Sequence, residues 1–408
     1  MPRNTAFFMH QRAVQIVQQR RGDGAASGPP FSFTDPSFNT GNVFAIIDDG
    51  AGGKFVGGSF TSVTCNVTST TYTTGYERLV HLLPTGEVDA AWSCPVGSVQ
   101  VNALALDVAN GVLYVGGSYS TIGGQTRADL AAVDAATGVV VSGWTCNVVG
   151  SLEALALDVA NDRLYVGGQF TNIAGASPAK VNLAAVTAST GVVDAAWQCD
   201  TNGIVYRLEV DAANDRLYVG GNYSTIGGVS KGDLAAVTAS TGVVVSGWTC
   251  STSGVAYVFA LALDVANDRL YVGGDFTIIG GVSKTDLAAV TASTGVVVSG
   301  FTCNTASGWI NVLAVDGLND RLYIGGTLSN IGGASPAKLR FAAATASTGA
   351  VDAAWQCDAG SNVLALSLDV ANNALFVGGS FSGATGLDGQ QRDRFGTVVA
   401  STGDLFVP

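Results

Sequence analysis

Seven cysteines, two histidines and a recurring aspartate are the residues of this chain whose chemistry asks for an explanation first. Six of the cysteines, Cys94, Cys146, Cys199, Cys250, Cys303 and Cys357, share one repeated place, two residues after an aromatic side chain (Trp92, Trp144, Trp197, Trp248, Phe301, Trp355). A column of thiols could build a disulfide ladder or metal sites. Geometry opposes the ladder: equivalent residues on stacked sheets lie about 10 Å apart, and a disulfide spans Cα atoms no more than ~7 Å apart. Zinc is poorly served too, because there is no Cys-x-x-Cys and only His10 and His81 remain as nitrogen ligands. The expectation is buried free thiols acting as small apolar side chains, with Cys65 in a loop as the exception, and no metal or cofactor.

Catalytic patterns are equally scarce. The chain holds no His-Glu-x-x-His, no Gly-x-Ser-x-Gly elbow and no phosphate-cradling glycine loop ahead of a helix. The recurring Asp158, Asp211, Asp264, Asp316 and Asp369 read as strand-end turn residues. A carboxylate pair for glycoside hydrolysis would have to assemble across units, and nothing in the sequence points to one. The expectation is a protein without enzymatic activity.

The elements behind these residues are repeats. DVANDRLYVGG stands at 158–168, returns almost unchanged at 264–274, and recurs in looser form at 107–117, 211–221, 316–326 and 369–379. Glycine pairs at 57/58, 116/117, 167/168, 220/221, 273/274, 325/326 and 378/379 mark seven units at a spacing near 50 residues. Each unit has an alternating segment such as ALALD, a tight turn at Asn-Asp or Asn-Gly, RLYVGG, a loop, LAAV, the turn TASTG and a segment ending in Trp-x-Cys. Asn, Asp and Gly tolerate the positive φ of tight hairpins, so the pattern predicts four antiparallel strands per unit. Runs such as Leu164, Tyr165 and Val166 are apolar on both faces, as expected where a sheet is covered on each side. The prediction is an all-β chain, a seven-bladed β-propeller over residues 31–408, preceded by an N-terminal arm and linker over 1–30. The seventh unit stops before a Trp-x-Cys, and FTDPSFNTG (33–41) precedes the first, with Phe38 where other units have Cys. The N-terminal strand is therefore expected to complete the last blade and leave no open edge.

The Gly-Gly doublet followed by a Trp near the end of the fourth strand resembles kelch repeats. DPSFN together with VGGSF (56–60) is more similar to bacterial propeller repeats carrying Gly-Gly-Ser/Asp-Phe-Thr, with Trp-x-Cys here replacing the usual Ser-Phe ending. That resemblance covers about residues 31–408. It implies the fold, and a role of the kind such repeats have in surface, adhesive and phage structural proteins.

Composition narrows the partners. The net charge of −12 argues against nucleic acid, whose phosphates need clustered cations. No apolar run approaches the ~18 residues of a membrane helix, and the first residues lack the apolar core of a secretory signal. One cation per unit precedes the third strand (Arg127, Lys180, Lys231, Lys284, Lys338, Arg392), often with an Asp two residues later. Rim ion pairs between blades are one reading of these cations, and a basic ring for an anionic partner is the other. The face bearing the second-to-third loops and the links between units varies most, and there Trp309 appears. The arm is basic, with Arg3, Arg12, Arg20 and Arg21 against Asp23, and Ala6, Met9, Ala13 and Ile16 can form an apolar helix stripe. The candidate partner-binding residues are thus Arg3, Arg12, Ile16, Arg20 and Arg21 of the arm, with Arg127, Lys180, Lys231, Lys284 and Trp309 of the disc. The expected function is a non-enzymatic part of a large assembly made of other structural proteins, such as a phage virion or tail made in the host cytoplasm. The alternative is a surface or secreted lectin-like propeller that binds a host glycan.

Overall fold

The computed structural model describes residues 32–253, 256–305, 307–333, 338–383 and 386–406. The arm residues Arg3, Arg12, Ile16, Arg20 and Arg21, and the helix stripe expected there, lie outside the described residues. Phe33 to Val407 forms one compact unit.

Local chemistry builds the repeat. In the third unit, the strand Val148–Asp158 ends on an aspartate whose carboxylate accepts from the Asn161 backbone N–H (3.2 Å) and side chain (2.7 Å). Asp162 follows in the left-handed region at φ 51°, where Asn and Asp are tolerated, and the chain reverses into Arg163–Ile173. The Asp162 carboxylate then accepts from the backbone and hydroxyl of Ser189 in the TASTG turn (2.7 and 2.5 Å). Both turns of a unit are thereby tied side by side. The same set recurs with Asp211, Asn214, Asp215 and Ser240, and with Asp264, Asn267, Asp268 and Ser293.

The described residues are all-β, with nine antiparallel three-stranded sheets, of which seven, one per unit, hold the main strands of the repeat. Their first strands are Val43–Asp48, Gln100–Asp107, Val148–Asp158, Ile204–Asp211, Tyr257–Asp264, Ile310–Asp316 and Val363–Asp369. Each first strand contacts the first strand of the next sheet, and Val363–Asp369 contacts Val43–Asp48. The glycine doublet permits this approach. A Cβ on Gly167 would stand 2.6 Å from the Val205 side chain of the next sheet, and one on Gly168 would stand 2.2 Å from the Ser151 carbonyl within its own bulged ladder.

The expected fourth strand is reduced to a single bridge in every unit, such as Val186↔Val193 and Val237↔Val244. After it the chain turns so that Trp-x-Cys leaves its own ladder. The Trp144 indole N–H donates to the Ala188 carbonyl of the following unit (2.7 Å), which also accepts from the Tyr114 hydroxyl (2.9 Å). Trp197 and Tyr165 meet Ala239 in the same way, as Trp248 and Tyr218 meet Ala292. A flat fourth strand would keep the indole within its own sheet, where this carbonyl is out of reach.

At the chain ends Phe33 and Asp35, not Phe38, occupy the Trp and Cys places. Phe33 packs edge-on against Phe376 (4.9 Å) and against Phe395 (6.1 Å). The Thr34 N–H donates to the Thr85 carbonyl as the Gln356 N–H donates to Thr402. Asp35 accepts from the Thr397 hydroxyl (2.7 Å) and from Arg392 Nε (2.9 Å). Phe38 instead bridges to Val63, the place Val96, Thr201 and Thr252 take in other units. One extra residue at Pro36 separates the two positions and shifts the register read from sequence.

Candidate functional site

The molecule has two unlike faces. The turn face gathers the two hairpin turns of every unit, and it is acidic. Each first turn carries one net negative charge, as Asp158 and Asp162 against Arg163 do, and the second turns add Glu87, Asp89, Asp134, Asp194, Asp352 and Asp404 without a cation. Nearly all the net charge of the described chain therefore sits on this face. Apolar side chains stand out from the same turns: Val139, Val192, Val243 and Val296 after the TG of units two to five, and Val108, Val159, Val265, Leu318 and Val370 in the first turns, all exposed.

In the first unit this face is held differently. DDGAGG replaces the Asp-Asn turn, and His81 stands where units two to six place Ala and the seventh places Thr397. Its ring nitrogens meet Asp49 of the first turn (3.0 Å) and Asp89 beyond the second (2.9 Å), and the ring stacks on Phe55 at 4.5 Å. Burial alone would lower the His81 pKa, but the hydrogen bonds and charges of Asp49 and Asp89 outweigh it and raise the value.

The opposite face carries the second-to-third loops and the links between units. The repeated cations lie on this side but turn inward. Lys180 Nζ donates to the carbonyls of Trp197 (2.5 Å) and Ala195 (3.3 Å), Lys231 to Trp248 (2.8 Å), Lys284 to Phe301 and Lys338 to Trp355. Arg127 reaches the Ser142 carbonyl (3.1 Å). Of the rim ion pairs expected, only Arg392 with Asp35 forms among these cations. The aspartates two residues on sit at positive φ, which aims them back at the chain: Asp129 and Asp233 accept from the backbone of Tyr119 (2.8 Å) and Tyr223 (2.9 Å). The four lysines and Arg127 thus cap the Trp or Phe turn of their own units, whereas Arg392 does not.

All seven cysteines are free and buried, and Cys65 lies in the strand Ser62–Cys65, not in a loop. Burial pushes the Cys146, Cys199 and Cys250 thiols up to about 12, which keeps them protonated and unreactive near neutrality. No group of three or more His, Cys, Asp or Glu suited to a metal ion occurs among the described residues.

The polar feature that motif reading missed lies at the middle. One cavity of about 200 Å³ is bordered by all seven first strands, including Ala45, Ala103, Ala154, Glu209, Leu261, Val312 and Ala365. Where the other units carry small or apolar residues at two alternating first-strand positions (Ala154 and Ala156, for example), the fourth reads YRLEVD, placing Arg207 and Glu209 there. Comparing ALALD with RLEVD would have revealed them. Arg207 Nε donates to the Phe259 carbonyl (3.0 Å). Burial holds the Glu209 carboxyl up at about 7 even though Arg207 pulls it down. Burial likewise raises Glu153, which accepts from Ser151 (3.3 Å) and Asn102 (3.1 Å).

An adjoining cavity of about 190 Å³ on the loop side is bordered by Gln100, Asn102, Glu153, Tyr206, Arg207, Phe259 and Asn311. An aromatic row runs from it. Tyr206 lies 5.1 Å from Phe259, Phe259 is parallel to Tyr257 at 5.5 Å, and Trp309 follows at 6.1 Å with 49% of its surface exposed. Of the partner-binding candidates among the described residues, Trp309 alone presents its side chain outward. No known protein-family model matches the chain, and no curated protein matches it.

Proposed function

We propose that this chain is a non-enzymatic interaction protein, a seven-bladed β-propeller of kelch-like type held in a large assembly such as a virion or tail, with residues 1–30 as its tether. The cyclic order of contacts among the seven sheets and the cavity shared by all seven first strands support the propeller. The apparent closing element is Phe33–Asp35, which joins the last sheet to the first.

The observation that carries the assembly role is the turn face. Exposed valines repeated across several units beside an acidic rim are an unusual surface for a chain that stays alone. Such a face suits a partner that offers apolar recesses framed by Lys or Arg. Glu153 and Glu209 are not read as a hydrolytic pair, because Arg207 is a charge neighbour of both and a fixed cation opposes the positive charge of a glycosyl transition state.

The test is recovery of the native particle by sedimentation from cells making the full chain. The variant Val192→Asp/Val243→Asp/Val296→Asp should melt normally and be lost from the particle, and removal of residues 1–30 should also release the folded disc. Retention of both variants at wild-type occupancy would overturn the assembly reading.

A further inference from the structure

We infer that the mouth of the central cavity is a single binding site for a neutral sugar, most simply the terminal pyranose of an oligosaccharide. This inference stands apart from the assembly role and rests on other residues.

Three features of the mouth select the ligand. First, Tyr206, Phe259, Tyr257 and Trp309 form a continuous aromatic row, and Trp309 leaves about half its surface open. Five of the other large aromatics, Trp92, Trp144, Trp197, Trp248 and Trp355, are fully buried, so an indole kept at the surface is a departure from how this chain uses tryptophan. The apolar C–H face of a pyranose packs against such a ring, and aromatic side chains supply contact area at low entropic cost.

Second, polar ends are left over around it. Among the described residues, the Glu209 carboxyl, the Asn311 amide and the hydroxyls of Tyr206 and Tyr257 make no hydrogen bond to the protein. Polar groups converging on a concave, largely apolar site fix the orientation of a bound molecule. The mixture of donors and acceptors matches vicinal hydroxyls, which both give and accept.

Third, charges of both signs meet here, Arg207 against Glu153 and Glu209. Arg207 would repel an amine or a basic peptide, while Glu153 and Glu209 would repel a phosphate or carboxylate. A ligand that is polar, uncharged and apolar on one face satisfies all three constraints. Because Arg207 and Glu209 occur in one unit only, the site is one per chain, unlike a set of equivalent sites repeated around the disc.

The experiment uses the purified full chain with a panel of neutral mono- and oligosaccharides, and with glucosamine, sialic acid and inorganic phosphate as charged comparisons. Binding is read by tryptophan fluorescence, where Trp309 is the exposed reporter, and by saturation-transfer NMR of the sugar. At least one neutral sugar should bind, with Trp309→Ala and Asn311→Ala each weakening it tenfold or more and Trp309→Phe retaining most of it. The melting curve of each variant separates loss of the site from loss of the fold. The inference is overturned if no neutral sugar binds at millimolar concentration, if only the charged compounds bind, or if binding survives both alanine variants unchanged.

Discussion

The two faces of the molecule are built from the same repeat under opposite constraints. On the turn face almost every residue has a local duty: Asp158 caps Asn161, Asp162 must adopt positive φ, and Ser189 must meet its carboxylate. Three units repeat that set nearly atom for atom, with Asp215 and Asp268 at φ 52° and 50°. On the loop face the strands enter from links of unequal length, and no capping set is shared by all units. Side chains there are free to differ, as Phe44, Asn102, Glu153, Tyr206, Phe259, Asn311 and Leu364 do at corresponding first-strand positions. Repetition thus makes the turn face a stable, multivalent surface, while the loop face is where one unit can acquire a site the others lack.

The comparison breaks hardest where both faces depend on one segment. Residues 33–38 join the last sheet to the first through Phe33, Asp35 and Phe38, all buried, and Lys54 completes the seam by lying 4.4 Å over Phe376 while pairing with Asp48. Deleting residues 31–40 should expose a sheet edge and lower the melting temperature strongly. Phe33→Ala alone should cost about 3–5 kcal/mol, the usual range for a buried phenylalanine, and lower the melting temperature by about 5 °C. Differential scanning calorimetry checks both, and an unchanged melt would show that the seam is dispensable.

The equality of the turns is the next thing to test. Asp158→Ala, Asp211→Ala and Asp264→Ala each remove a buried carboxylate bonded to the backbone and side chain of an Asn three residues on. Each should cost about 2 kcal/mol, and the three values should agree, since the three environments do. Urea unfolding of the single variants measures this. Widely unequal costs would mean that neighbouring units, not the local turn, set the strength of the cap.

Much of this was legible in the sequence, for physical reasons that also mark the limit. Gly167 and Gly168, Asn161 and Asp162, and the Gly of TASTG act within a few residues of themselves, so their types and spacing disclosed seven units and their hairpins. Trp144 acts on Ala188, far along the chain, and its departure from the fourth strand could not be read from alternation alone. Lys180 looked like an ion-pair partner because charged neighbours follow it in sequence, whereas its nitrogen satisfies turn carbonyls that become visible only in three dimensions. Arg207 and Glu209 belong to no familiar motif. They appear as chemistry only when their unit is laid against the six that carry small or apolar residues there.

In the first unit the turn face depends on a titratable group, which makes one-seventh of it sensitive to pH. Because the folded pKa of His81 is raised, its contribution is fully present below the unfolded value of about 6.5 and is lost as pH rises through the folded value. Asp49 has the opposite sense: its pKa is lowered on folding despite burial, by His81 and the Ala51 and Gly53 amides, so its contribution fades only as the solution becomes strongly acidic. His81→Ala should therefore cost about 1–2 kcal/mol at pH 5.5 and distinctly less at pH 9. Chemical unfolding at the two values is the check, and a cost independent of pH would reduce His81 to a packing residue.

The smallest effect is expected at Trp309, and its smallness is the informative part. A buried tryptophan cut to alanine loses about 3–5 kcal/mol, but Trp309 is half exposed and makes one ring contact, with Phe259 at 6.1 Å. Its side chain also makes no hydrogen bond; only its backbone is bonded, to the hydroxyl and the backbone N–H of Thr327. Trp309→Ala should then change stability by no more than about 0.5 kcal/mol, as surface substitutions usually do, while Trp197→Ala costs several. A large loss at Trp309 would mean that the aromatic row is part of the packing of the fold, and the contrast between a face fixed by folding and a face free to bind would fail at the position where it is sharpest.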